Sequence, residues 1–184
     1  MDKRYAIGLL SRYIFLIILA IPNFYLIYLI ANPLTIYPVF WALQALYGAK
    51  LLAGNIIFFK GYYAEIIGAC IGGAAYYLLI ILNLTTPMQV KTRIKSLLFI
   101  ILSFLILNIV RILIFASLLK IGYQYFDITH ELTWYFGSTV LVVIVWFANV
   151  LIFRIRNIPV YTDIRFLLND ISLKQDKLKN KIKK

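Results

Sequence analysis

Three residues in this chain carry chemistry that apolar packing does not require: Cys70, Arg111 and His130. Cys70 is the only cysteine and His130 the only histidine. A thiolate attacks a carbonyl carbon, and an imidazole carries protons to and from sulfur and a leaving amine. A guanidinium stabilises the oxyanion that develops, or the thiolate itself. The three side chains are therefore a sufficient set for acyl transfer, on condition that the fold joins them. Each also has a plainer explanation. In Gly68-Ala69-Cys70-Ile71-Gly72-Gly73 the small residues suit close helix packing. Asn108-x-x-Arg111 suits hydrogen bonding between helices. His130 stands at a loop–helix junction, where Asp127 would cap the helix and Asp127 and Glu131 would complement its dipole. One cysteine and one histidine supply neither a disulfide framework nor a zinc set, and no cofactor or metal is expected.

The elements that must position these residues are membrane helices. Of 184 residues, 63% are hydrophobic and 14% charged, well outside the balance of a soluble domain. The expected fold class is an all-α integral membrane protein, a single polytopic helix bundle. Four stretches approach the roughly 20 apolar residues a span needs: 13–31, 66–84, 96–119 and 134–153. Pro22-Asn23 interrupts the first, which a span tolerates where neighbours satisfy the freed backbone groups. Residues 32–65 form an outer-face segment that opens on the turn signal Asn32-Pro33. There, 39–52 reads as an interfacial or re-entrant helix, and 56–67, running into the second span, as a hairpin turning at Lys60-Gly61. Six spans are the alternative to four.

Charge sets the orientation. The chain carries 19 Lys and Arg against 7 Asp and Glu, a net of +12. Lys3, Arg4 and Arg12 precede the first span; Lys91, Arg93 and Lys95 lie between the second and third; Arg154, Arg156, Arg165 and a Lys-rich tail, 154–184, follow the fourth. The intervening segments balance Lys50, Lys60 and Lys120 with Glu65, Asp127 and Glu131. This positive-inside pattern places both termini in the cytoplasm, assigns the chain to the cell membrane, and makes nucleic acid an unneeded partner. The basic tail then reads as lying on anionic lipid or as a solvated helix.

The topology brings the three reactive residues to one depth. Cys70 begins a span at its outer end, and His130 stands before another at its outer end. Arg111 lies about 22 Å along the helix from Ser96, in the outer half of the bilayer. On a lipid face it would cost about 2.5–3.5 kcal/mol, so it should face the bundle interior, with Asn108 on the same helical face.

Ala69-Cys70-Ile71-Gly72, Asn108-Ile109-Val110-Arg111 and His130, in that order, resemble the exosortase/archaeosortase family of membrane-embedded cysteine transpeptidases. That family has Cys-x-Gly at the outer start of one span, Asn-x-x-Arg within the next, and His before a later one. The resemblance covers about 61–153, and the short chain is closer to the compact archaeal members than to eight-span bacterial ones. It implies an enzyme that recognises exported proteins with a C-terminal tail, made of a motif, a span and a basic cluster. Such an enzyme cleaves near the motif at the outer face and passes the new C-terminus to an acceptor, a lipid in the archaeal branch. On this resemblance Cys70 is the nucleophile, His130 the general acid/base and Arg111 the electrostatic stabiliser. Two supporting roles are added from the sequence itself: Asn108 as an orienting or oxyanion partner, and Asp127 as an orienter of His130.

The competing reading is a structural or transport subunit of a membrane complex. Gly68-x-x-x-Gly72 and Ala69-x-x-x-Gly73 would serve close helix approach in such a subunit. A transporter would distribute polar residues through the whole bilayer, whereas the inner halves of these spans are almost purely apolar. A rhomboid-like serine protease is disfavoured, as the chain has no Gly-x-Ser-x-Gly. Oligomeric state is left open.

Overall fold

The computed structural model describes residues 3–20, 24–52 and 54–155. The chain is mostly helical: α1 (Lys3–Ala20), α2 (Tyr25–Tyr47), α3 (Gly68–Ile71), α4 (Gly73–Thr85), α5 (Val90–Lys120), α6 (Phe126–Leu132) and α7 (Ser138–Phe153). Among the described residues, three helical stretches are long and apolar enough to cross a membrane: Tyr25–Tyr47, Gly68–Thr85 and Val90–Lys120. Leu10–Ala20 and Ser138–Phe153 are shorter apolar helices.

Helix α5 shows how the sequence sorts itself. Ser96, Ile100, Phe104 and Asn108 recur every four residues and are buried, whereas Leu98, Leu102, Ile106, Val110 and Ile114 recur on another face and are exposed. Large aliphatic side chains thus point outward while serine and asparagine point inward, the arrangement expected where the solvent is hydrocarbon. The inward polar groups tie helices together. Asn83 Nδ2 donates to Ser96 Oγ at 2.6 Å, and Ser96 Oγ donates to Asn149 Oδ1 at 2.8 Å, joining α4, α5 and α7. Arg93 closes the end of α4 by donating to the carbonyls of Asn83, Leu84 and Thr86 at 2.8–2.9 Å.

The N-terminal half departs from expectation. Asn32-Pro33 is no turn, for α2 runs unbroken through Asn32, Pro33 and Pro38 to Tyr47. A proline removes one helical bond. In an apolar run the open chain would lose more of them, so the helix persists. The boundary that does occur lies earlier. α1 stops at Ala20 and α2 begins after Phe24, whose φ is 62°; Pro22 and Asn23 lie outside the described residues. The expected helix over 39–52 also ends early, at Tyr47, with Gly48 left-handed and Lys50–Leu51 in a strand.

Partner contacts show that α1 and α2 climb in succession, opposite to α4. Arg12 Nη1 donates to Leu84 O, and the Tyr77 hydroxyl donates to Leu16 O. Phe24 packs on the Tyr77 ring, Tyr28 lies against Gly68 and Gly73, and Tyr47 reaches Ser117 near the end of α5.

The fold is not purely helical. Lys50–Leu51 (β1), Ile56–Phe59 (β2) and Tyr62–Glu65 (β3) form an antiparallel sheet in the order β1-β2-β3. Lys60 and Gly61 both have positive φ, 49° and 89°, as a two-residue hairpin turn requires. Ile57 and Phe59 are buried, and Phe59 stacks on Tyr47. The span 66–84 is likewise two helices, α3 and α4, meeting at Gly72 with φ 77°. The stretch expected as a span over 134–153 is a π turn, Thr133–Gly137, followed by α7. Of the basic tail 154–184, residues 156–184 lie outside the described region.

Candidate active site

Cys70 sits in a single helical turn between the sheet and α4. Its N–H and that of Ile71 both donate to Ile67 O. Gly72 then takes a left-handed conformation with the Phe104 ring 3.2 Å from where a Cβ would stand, so only glycine is unstrained there. At Gly73 a Cβ would lie 2.6 Å from the Tyr28 ring. The small residues around the thiol do serve close packing, but against side chains of α2 and α5.

Two residues of α5 hold the Cys70 carbonyl. Asn108 Nδ2 donates to Cys70 O at 2.8 Å and lies 3.3 Å from Ile71 O. Arg111 Nη2 donates to Cys70 O at 3.3 Å, and its Nη1 donates to Ser138 Oγ at 2.6 Å. The guanidinium thus bridges α3 and α7 while anchored on α5. A planar fork makes this bridge in a way that a point charge cannot.

Cys70, Arg111 and His130 line one cavity of about 300 Å³, with Ile67, Ile112, Phe115, Glu131 and Thr133 among the other walls. His130 is exposed on α6. Its ring stacks on Phe126 at 5.6 Å with an interplanar angle of 6°, and meets Phe115 edge-on at 5.1 Å. Apolar rings, not a carboxylate, set the imidazole plane.

The two supporting residues differ: Asn108 makes an orienting contact, and Asp127 does not. Asn108 is fully buried with its amide nitrogen committed to the Cys70 and Ile71 carbonyls, and it does not line the cavity. Its amide holds the turn that carries Cys70, the orienting half of the expectation. Asp127 is exposed, lies off the cavity wall and makes no hydrogen bond to His130. Nor does it cap α6, whose N-cap is Tyr125 without a side-chain bond. Among the described residues, no group of three or more His, Cys, Asp or Glu side chains is arranged to hold a metal ion.

Sequence reasoning missed Ser138, Glu131 and Thr133. In a continuous α-helix Ser138 would point about 80° away from His130. The π turn Thr133–Gly137 absorbs one extra residue, so Ser138 takes the place of a seventh residue, about 20° from the His130 direction. The turn thereby aims the imidazole and the arginine's serine partner toward the same side. Its own constraint is visible at Gly137, where a Cβ would stand 2.6 Å from Thr133 Cγ2. Gly137→Ala is expected to destabilise the fold by about 1–3 kcal/mol through overpacking. Adding Thr133→Ser, which removes that methyl, should restore most of the loss. Unfolding midpoints of single and double variants in detergent check this; a harmless Gly137→Ala would show that the turn tolerates a side chain.

Comparison of the chain with protein-family models, with curated proteins and with solved structures finds no match.

Proposed function

We propose that this chain is a membrane-embedded cysteine protease–transpeptidase of the exosortase/archaeosortase kind. The observation that carries the reading is the convergence of Cys70, Arg111 and His130 on one cavity, from three separated elements. The Cys70 thiolate, its proton taken by His130, attacks a substrate carbonyl carbon. The oxyanion so formed draws on the positive charge of Arg111. As the C–N bond breaks, His130 returns the proton to the leaving amine, and the N-terminal part of the substrate remains as a thioester on Cys70. An acceptor nucleophile, deprotonated by His130, then attacks the thioester carbonyl and releases the thiolate.

The substrate class is exported proteins with a C-terminal tail of motif, span and basic cluster, and the acceptor is a membrane lipid. The bundle crosses the cytoplasmic membrane four times. α1 leading into α2 makes the first crossing, α3–α4 the second, α5 the third and the π turn with α7 the fourth. Both termini are cytoplasmic, and the sheet and cavity lie at the outer face. The distribution of Lys and Arg supports this orientation.

An impermeant maleimide added to intact cells should label Cys70 and stop cleavage of a co-expressed tailed reporter. Labelling only after permeabilisation would overturn the orientation. Continued cleavage by fully labelled protein would overturn the nucleophile.

A further inference from the structure

Among the described residues, strand β3 pairs with β2 alone and forms an edge of the sheet. The pair flanking a two-residue hairpin turn exchanges both main-chain hydrogen bonds, and pairs alternate from there. Phe59 and Tyr62 are that pair. The alternation runs on to Ile66, whose N–H donates to Asn55 O at 2.9 Å. Tyr62, Ala64 and Ile66 therefore turn their main-chain groups toward β2, and Tyr63 and Glu65 turn theirs toward the free edge. Among the described residues, no main-chain partner takes these groups.

Proteins usually guard such an edge with proline, a bulge or an outward charge. β3 has no proline, and its register with β2 is continuous. Its one charge is turned back, because Glu65 Oε1 accepts from Asn55 Nδ2 at 3.3 Å. The edge also leads somewhere. Two residues past β3, Ile67 lines the cavity, and Cys70 follows on the same wall. Helix α5 packs against both β3 and α6, and it supplies Ile112 and Phe115 to the same cavity that Ile67 and His130 line.

We propose that the free edge of β3 is the docking strand for an extended segment of an exported polypeptide, which adds to the sheet parallel to β3. The inference rests on the acyl-transfer reading of Cys70. Strand addition supplies affinity through main-chain hydrogen bonds and leaves alternate side chains to specify the motif. The parallel direction follows from the path of the chain. β3 runs toward Cys70, and the chain then continues into α4. A parallel guest brings its C-terminal end to the thiol and sends the following span into the bilayer beside α4. An antiparallel guest would send that span away from the membrane.

The test uses a tailed reporter that the wild-type chain cleaves. Tyr63→Pro and Glu65→Pro remove a free-edge N–H without touching the β2 ladder; Tyr63→Ala and Glu65→Ala keep it. Each proline variant should raise KM about tenfold over its alanine counterpart, the loss of one hydrogen bond, with kcat unchanged. In full-length Cys70→Ala protein, Tyr63→Cys and Glu65→Cys should each form disulfides with alternate positions of single-cysteine reporters. Glu65→Cys should react nearer the cleavage point than Tyr63→Cys does. The reversed order, or proline and alanine variants that behave alike, would overturn the docking strand while leaving the Cys70 chemistry standing. Cleavage that survives Cys70→Ala would remove the reading beneath it.

Discussion

Replacing Cys70 by alanine or by serine is expected to abolish processing of a tailed reporter, by about 10⁴-fold or more, while the chain stays folded. A nucleophile removed from an acyl-transfer site leaves only what binding and charge stabilisation supply. Serine should not substitute, because its hydroxyl is a far weaker nucleophile than a thiolate in the same geometry. The fold should survive because the turn is held by groups other than sulfur. The Cys70 N–H donates to Ile67 O, and the Cys70 carbonyl accepts from Asn108 and Arg111. Both variants keep every one of these bonds. The measurement pairs reporter cleavage with the unfolding midpoint in detergent, and adds a search for a hydroxylamine-sensitive adduct between chain and reporter. That adduct should form with the wild-type chain and vanish in Cys70→Ala. Full activity in both variants would end the assignment of Cys70 as nucleophile and return it to the small residues that pack α3 against its neighbours.

Hydropathy and charge placed Cys70, Arg111 and His130 near the ends or outer parts of apolar runs, and the structure brings all three to one cavity. Which way each side chain faces was legible only for α5. There Asn108 and Arg111 are three residues apart, and the cost of exposing arginine to lipid turns both inward. It was not legible past His130, because the π turn shifts the register of everything after it, and no composition rule marks such a turn. Asp127 misled for a related reason. Capping and dipole rules describe an acid's effect on its own helix and say nothing about the ring that stacks on His130 four residues after Phe126. Pro33 misled because breaker rules are calibrated in water, where a freed carbonyl has somewhere else to go. The hairpin at Lys60-Gly61 was legible because positive φ is a local demand. Strand β1 is set by its pairing with β2, a tertiary event.

Arg111→Lys tests whether charge alone suffices at the centre of the site, and it is expected to lower kcat by about 10²–10³-fold. The lysine keeps the positive charge, so an arginine acting as a bulk counter-ion to the thiolate would lose little. The geometry argues otherwise. One guanidinium nitrogen serves Ser138 Oγ on α7 and the other serves Cys70 O on the α3 turn. A single ammonium on a flexible stem cannot hold both at once. Two consequences separate this from simple loss of charge. Ser138→Ala, which leaves the arginine intact but removes one anchor, should fall in the same direction by a smaller factor, about tenfold, the loss of one hydrogen bond to a charged group. Combining Ser138→Ala with Arg111→Lys should cost less than the product of the two single losses, because the lysine has already given up the bond that Ser138 supplies. A double variant whose loss equals that product would mean that Ser138 acts elsewhere. An Arg111→Lys chain that retains wild-type kcat would mean that a point charge near Cys70 is all the site needs. The bridge from α5 to α3 and α7 would then belong to the fold and not to the reaction.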